Sequence, residues 1–142
     1  LVQWAGATLL HEGLKLKYVL MQNLLSTLVA GFENDEDKVR KIDKLHNVDL
    51  LIIDEAFNKS AVTLYKSGYQ LPFLDRFLRE RTEINQKGIL FVSNTSPKAI
   101  SADFGVSLQN FISRNTTKTT LFFEDNYMKE KSADVDLGSL FD

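Results

Sequence analysis

At 142 residues, with 44% hydrophobic and 25% charged side chains, the chain can bury one hydrophobic core and is too apolar to be a disordered segment. A formal net charge of −2 excludes a general electrostatic pull toward nucleic acid, so any such binding needs a local basic patch or a partner. The absence of cysteine removes disulfides, thiolate zinc sites and cysteine nucleophiles together, and fits a reducing, cytoplasmic setting. The longest apolar runs, Leu50 to Ile53 and Gly88 to Val92, are far shorter than a membrane span, and no basic-then-apolar leader opens the sequence. Neither a membrane nor an export route is expected.

In chain order, Leu1 to His11 is apolar at positions 1, 2, 4, 5, 9 and 10, which predicts a buried helix capped by Gly13. Lys17-Tyr-Val-Leu-Met21 reads as a short strand, and Asn23 is placed to cap a helix from Leu24 to about Phe32. Lys38 to Lys44 is largely basic, with Val39, Ile42 and Leu45 apolar at helical spacing, as in a solvated surface helix. Val48-Asp-Leu-Leu-Ile-Ile53 is the nearly continuous apolar run of a parallel strand covered on both faces. After Glu55 the sequence loosens through Ala56 to Gly68. A helix follows from about Leu71 to Ile84, with Phe73, Leu74, Phe77, Leu78 and Arg81 one or two turns apart. Gln86-Lys-Gly88 breaks it, and Ile89-Leu-Phe-Val92 is a second buried strand that Pro97 prevents from extending. A helix from Leu108 to Ser113 and a last strand at Thr119-Thr-Leu-Phe-Phe123 complete the pattern, and from Met128 the chain is polar. Alternating strands and helices imply a mostly parallel sheet with helices on both faces. In such sheets ligands sit beyond the carboxyl ends of the strands.

That rule selects Asp54, Glu55 and Asn94. An apolar strand that delivers Asp and then Glu at its tip can support Mg²⁺ through the first carboxylate, usually through water, while the second orients and deprotonates an attacking water. The competing reading has both acids merely capping the turn that follows. Asn94 ends a separate strand, where a neutral amide can bond a phosphate or the attacking water without competing for the metal, or can simply serve as a turn residue. His11 and His46 lack metal-ligand spacing, and Ser93, Ser96 and Ser113 lack the His and Asp partners of an acyl-transfer triad. Arg76, Arg79 and Lys87, with Lys59 and Lys66, read either as a strip for single-stranded DNA or as solvated charge balanced by Glu80 and Glu83.

These residues are similar to motifs of the AAA+ ATPases, and within them of the bacterial and phage replicative-helicase loaders and the related transposition helper ATPases of insertion sequences. Val48-Asp-Leu-Leu-Ile-Ile-Asp-Glu55 resembles the family's Walker B strand, Ile89-Leu-Phe-Val-Ser-Asn94 its sensor 1 strand, and Phe111-Ile-Ser-Arg114 falls where its arginine finger lies. The resemblance implies a P-loop NTPase-type α/β fold, a three-layer sandwich with a mostly parallel sheet. It assigns residues 1–127 to a partial ATPase core and 128–142 to a polar tail. It also implies ATP and Mg²⁺ as ligands, with Asp54 supporting the metal, Glu55 activating water, Asn94 sensing the γ-phosphate, and Arg114 reaching a neighbouring subunit's nucleotide in an oligomer. The implied partners are a replicative helicase and single-stranded DNA.

The sequence departs from the family's pattern in one large respect. Gly6 and Gly13 have neither the spacing nor the lysine of a phosphate-binding loop, so that loop and the strand before it are expected upstream of Leu1. Without the loop this segment alone is expected to be inactive. Ala56-Phe57 also replaces the apolar residue and glycine common after the acids in loaders, and Gly105-Val-Ser-Leu108 lacks the usual Gly-Glu-Arg lead-in to the finger. Three functions therefore stand side by side: a helicase loader, a transposition helper, and a P-loop-fold interaction module that does not hydrolyse ATP.

Overall fold

The computed structural model describes residues 11–29, 36–59 and 69–116. Strand β1 (Leu16–Leu20) runs directly into helix α1 (Met21–Val29), and α2 (Glu36–Asn47) leads to β2 (Leu50–Asp54). Helix α3 (Leu71–Arg79) widens into a π turn (Glu80–Ile84) before β3 (Gly88–Phe91), and a short 3-10 turn (Pro97–Ala99) precedes α4 (Ile100–Phe104) and α5 (Val106–Asn115). The three strands form one parallel sheet in the order β1-β2-β3, with Leu16 opposite Leu50 and Leu50 opposite Gly88. The chain is thus a mixed α/β protein, and all three carboxyl ends of its strands point the same way. The expected strand at Thr119 to Phe123, the helix before His11 and the tail lie outside the described residues.

Alternation along the strands divides the sheet into two faces. Leu51 and Ile53 are fully buried on one face. Their cross-strand neighbours Val19, Ile89 and Phe91 pack against the same core, and every described helix sends buried side chains into it. Met21, Leu24, Leu25 and Leu28 supply the stripe of α1; Leu74, Phe77 and Leu78 that of α3; Leu108, Phe111 and Ile112 that of α5. The other face carries Tyr18, Ile52, Asp54 and Leu90. The buried side chains of the described helices cluster on the first face, with Leu51 and Ile53.

Three local expectations are corrected. Asn23 does not cap α1; it sits exposed in the first turn of a helix that starts at Met21, because Met21 itself begins the i, i+3, i+4, i+7 stripe that packs on the core. The helix after residue 70 is regular only to Arg79 and continues as the π turn, where the Asn85 amide bonds back to the Glu80 carbonyl at 2.9 Å. The last described helix is longer than expected and is preceded by α4, separated from it by Gly105 at φ 84°, a backbone angle that glycine adopts without strain.

The amino ends of the strands are held by two charged side chains. Arg81 is 0% exposed, and its guanidinium donates to the carbonyls of Leu45 (2.5 Å), His46 (3.2 Å), Val48 (2.9 Å) and Gly88 (2.9 Å). It therefore closes the end of α2, where carbonyls have no partners within the helix, and joins the approach to β2 to the first residue of β3. Burial lowers its pKa to about 10, with Asp49 acting in the opposite sense, so it stays charged at neutral pH. Asp49 accepts from the Lys15 backbone amide (2.9 Å) and from Lys87 Nζ (2.8 Å), linking the starts of all three strands. Those bonds, that of Lys87 first, hold its carboxyl below the usual range. His46 packs at a tilt on Phe77 with ring centroids 4.5 Å apart, and burial lowers its pKa against the opposing pull of Glu80.

Arg81→Met leaves one buried and several part-buried carbonyls without this donor and is expected to destabilise the protein by roughly 2–5 kcal/mol. Arg81→Lys keeps the charge but fewer bonds and should fall between wild type and Arg81→Met. Urea unfolding of the three proteins checks the order.

Candidate functional site

Beyond Asp54 the sheet continues as a sewn turn rather than opening into a free loop. The Val92 amide bonds the Ile53 carbonyl (2.9 Å) and the Ala56 amide bonds the Val92 carbonyl (2.8 Å), carrying the β2–β3 pairing past the acids. Ser93 Oγ donates to the Ala56 carbonyl and accepts from the Thr95 amide (2.9 Å), while Thr95 Oγ1 donates to the Phe57 carbonyl (2.8 Å). Ala56 and Phe57 are buried, and the Phe57 ring meets Phe91 at 5.0 Å and Phe104 edge-on at 5.3 Å. The segment after Glu55, which reads as loose in the sequence, is therefore anchored for its first two residues, Ala56 and Phe57. A Phe in a polar context is the signal that marks it.

This anchoring gives Glu55 an unusual backbone. Its φ is 50° and that of Phe57 is 61°, both in the left-handed region that residues with a Cβ rarely occupy. Strain of this kind persists only where neighbouring bonds over-determine the conformation, as the bonds to Val92, Ser93 and Thr95 do here. The result is that the Glu55 side chain is exposed at the strand tip while its amide turns back to bond Asp54 Oδ1 at 2.8 Å.

Asp54 is partly buried, and its second oxygen accepts from the Tyr18 hydroxyl. The pairing follows from register: Tyr18 lies opposite Ile52, so Asp54 is its diagonal neighbour on the same face, within reach of a long side chain. That hydrogen bond, then burial and the charges of Asp54 and Glu55, push the Tyr18 phenol above its ordinary pKa. Tyr18 is a site residue that the sequence reading missed. Its signal was its place two residues before the end of β1, which becomes informative only once the parallel register with β2 is known.

The structure brings Asp54, Glu55 and Asn94 to one edge: Asn94 is exposed within the Ser93–Thr95 segment that is stitched to the turn after Glu55. Arg114 lies elsewhere, exposed in the last turn of α5, a helix that packs on α3 and α4. Arg79 ties α3 to α5, its guanidinium lying 5.1 Å from the Phe111 ring centre and 3.4 Å from Ser107 Oγ. The described members of the basic strip considered for single-stranded DNA are each paired with an acid, and Lys66 lies outside the described residues. Arg76 pairs with Glu80 (2.7 Å), Arg79 with Asp75 (3.0 Å) and Glu83 (3.4 Å), Lys87 with Asp49 (2.8 Å) and Lys59 with Asp103 (3.8 Å).

Asp54 and Glu55 are the carboxylates at this edge that could serve a divalent cation of the Mg²⁺ kind. Mg²⁺ retains most of its waters and takes one or two carboxylates, which Asp54 and Glu55 supply, whereas no cluster of three or more His, Asp or Glu ligands occurs among the described residues. No family model matches the chain, and no curated protein matches it. Among the described residues no helix is long and apolar enough to cross a membrane.

Glu55→Gly removes the left-handed strain together with the carboxylate. It is expected to raise stability by about 1 kcal/mol over Glu55→Gln, which keeps the strained backbone. Thermal and urea unfolding of the two variants decide it, and equal stabilities would mean that the backbone at residue 55 stores no strain.

Proposed function

We propose that the chain is the catalytic α/β core of an ATPase in which Asp54 supports Mg²⁺ and Glu55 draws a proton from the water that attacks the γ-phosphate. The observation that carries this reading is the pair of adjacent acids at the carboxyl end of the central strand of a parallel sheet, the position where open α/β sheets take their ligands. Bound Mg²⁺ would neutralise charge on the phosphates. Everything else in this reading is work for the protein's own residues. Asp54 is held at both oxygens, by the Glu55 amide and Tyr18, and so presents its charge in one fixed plane. Glu55 projects into solvent from a backbone that cannot relax, which suits a base that must meet a water in one place. Asn94, on the neighbouring strand's extension, offers an amide to the γ-phosphate or to that water.

The phosphates themselves need a cradle of backbone amides and a lysine, and the 142 residues contain no glycine-rich loop of that spacing. The proposal accordingly places that loop in another part of the intact protein. The narrower assignment, loading of a replicative helicase onto single-stranded DNA by an oligomer, draws on the resemblance to the loader branch of the AAA+ ATPases, with a transposition helper as its near neighbour. A second reading has its own observation. Both Asp54 oxygens accept protein hydrogen bonds, as they would in a turn that only holds the fold, and this favours a non-hydrolysing interaction module.

Turnover separates the two. In the intact protein, Glu55→Gln is expected to bind ATP as wild type does and to lose hydrolysis by about 10²-fold or more, because the amide cannot accept the proton. Asp54→Asn should instead weaken Mg²⁺-dependent nucleotide binding. Single-turnover hydrolysis with a nucleotide titration reads both, and an inactive wild type, or full turnover in Glu55→Gln, would contradict the ATPase.

Arg114 carries the oligomer. It is exposed on α5, and in this reading its charge meets the nucleotide of an adjacent subunit, where such residues contribute about 10³ to 10⁵ in rate. Mixing inactive Arg114→Ala with inactive Glu55→Gln should restore hydrolysis at interfaces that join a wild-type Arg114 to a wild-type Glu55. A mixture that assembles and stays inactive removes Arg114 from the site.

A further inference from the structure

The Tyr18 hydroxyl has no part in the proposed reaction, yet it is bonded to the acid at the centre of the site. The Tyr18 side chain is 50% exposed, so its ring is not there to fill the core, and the two donors on Asp54 come from opposite directions in the sequence. The Glu55 amide takes Oδ1 and the Tyr18 hydroxyl takes Oδ2. A carboxylate offers about four lone-pair sites, two on each oxygen, so this one has about one left on each, with its plane fixed by the donors.

We propose that Tyr18 is a positioning residue that sets the cation preference of Asp54, holding the carboxylate in a state suited to a hydrated Mg²⁺ and unsuited to direct, two-oxygen chelation of Ca²⁺. This rests on the reading of Asp54 as the residue that supports the cation. The chemistry of the two ions gives the direction. Mg²⁺ sheds water reluctantly and is served by a carboxylate that accepts hydrogen bonds from its waters, which a fixed carboxylate with one free site per oxygen can do. Ca²⁺ takes more oxygen ligands, in flexible geometry, and often takes both oxygens of one carboxylate. A hydroxyl on Oδ2 competes for that second contact and stops the carboxylate turning to meet the ion. Removing the hydroxyl leaves one donor, on Oδ1, about which the group can turn.

Tyr18→Phe deletes one oxygen from a half-exposed ring and keeps the strand's packing. The Glu55 amide proton, bonded directly to Asp54, is the reporter. Its NMR shift is followed in wild type, Tyr18→Phe and Asp54→Asn while MgCl₂ alone or CaCl₂ alone is titrated, without nucleotide. The ratio of half-saturating Ca²⁺ to half-saturating Mg²⁺ should fall about three- to tenfold in Tyr18→Phe, the size of one hydrogen bond, and the response should vanish in Asp54→Asn. A residue that only stabilised the fold would shift both metals together and leave the ratio alone. An unchanged ratio, or one that moves toward Mg²⁺, overturns the role of Tyr18 and leaves the cation role of Asp54 standing. A Glu55 amide that answers neither metal in wild type, or answers equally in Asp54→Asn, overturns both, while ATP turnover by the intact protein remains the separate measure of the ATPase itself.

Discussion

The buried guanidinium of Arg81 is the contact on which the rest of the arrangement depends. A single charged group satisfies carbonyls from the end of α2, the approach to β2 and the start of β3. A buried charge is costly unless it is fully bonded, so the bonds that make Arg81 tolerable also forbid these three segments from sliding past one another. Asp49 extends the same constraint to β1 through the Lys15 amide. With the amino ends fixed, the parallel register follows, and register alone decides that Tyr18, Asp54 and the segment after Phe91 arrive at the same opposite edge.

The two edges of the sheet solve different problems. At the amino edge the charged groups are consumed by the protein: Arg81 by carbonyls, Asp49 by Lys15 and Lys87. At the carboxyl edge the backbone is stitched as tightly, through Ala56, Val92, Ser93 and Thr95, but the side chains of Glu55 and Asn94 are left to solvent. Glu55 does so at the cost of a left-handed backbone. The chain takes this turn on a strained residue where a glycine would turn it without strain, and in the proposed reading the carboxylate so exposed is the base. The exposed acid stands beside one that is held at both oxygens. In the proposed reading that division of labour, one fixed carboxylate and one free, serves metal-supported attack by water.

How much of this the sequence reveals depends on whether the cause is local. The apolar runs before Asp54 and after Gly88 mark β2 and β3, and their polar ends mark the edge where Asp54, Glu55 and Asn94 meet. Arg81 is visible in the spacing of the helix expected over Leu71 to Ile84, and it falls in the π turn, but its partners lie 33 to 36 residues earlier or at Gly88, so nothing nearby in the chain announces what it bonds. The same is true of Tyr18 and Asp54, which are 36 residues apart. Asn23 misled because cap residues are judged by type, whereas the start of α1 is set by Met21 reaching the core. Helix α4 escaped because five residues hold too few turns to show a period, although Ile100 and Phe104, four apart, are its buried face. The balance of Arg76 and Arg79 by Glu80 and Glu83 is legible because those acids lie a turn away in the chain, whereas the pairing of Lys87 with Asp49, 38 residues earlier, is not.

The central claim is that ligand chemistry belongs to the carboxyl edge of the sheet and structural charge to the amino edge. Hydrogen–deuterium exchange of the intact protein with and without Mg·ATP tests it most directly. Protection should concentrate in residues 54–58 and 92–95, with residues 15, 49 and 88 exchanging as before. Protection confined to the amino edge, or no change anywhere at saturating Mg·ATP, would contradict the account.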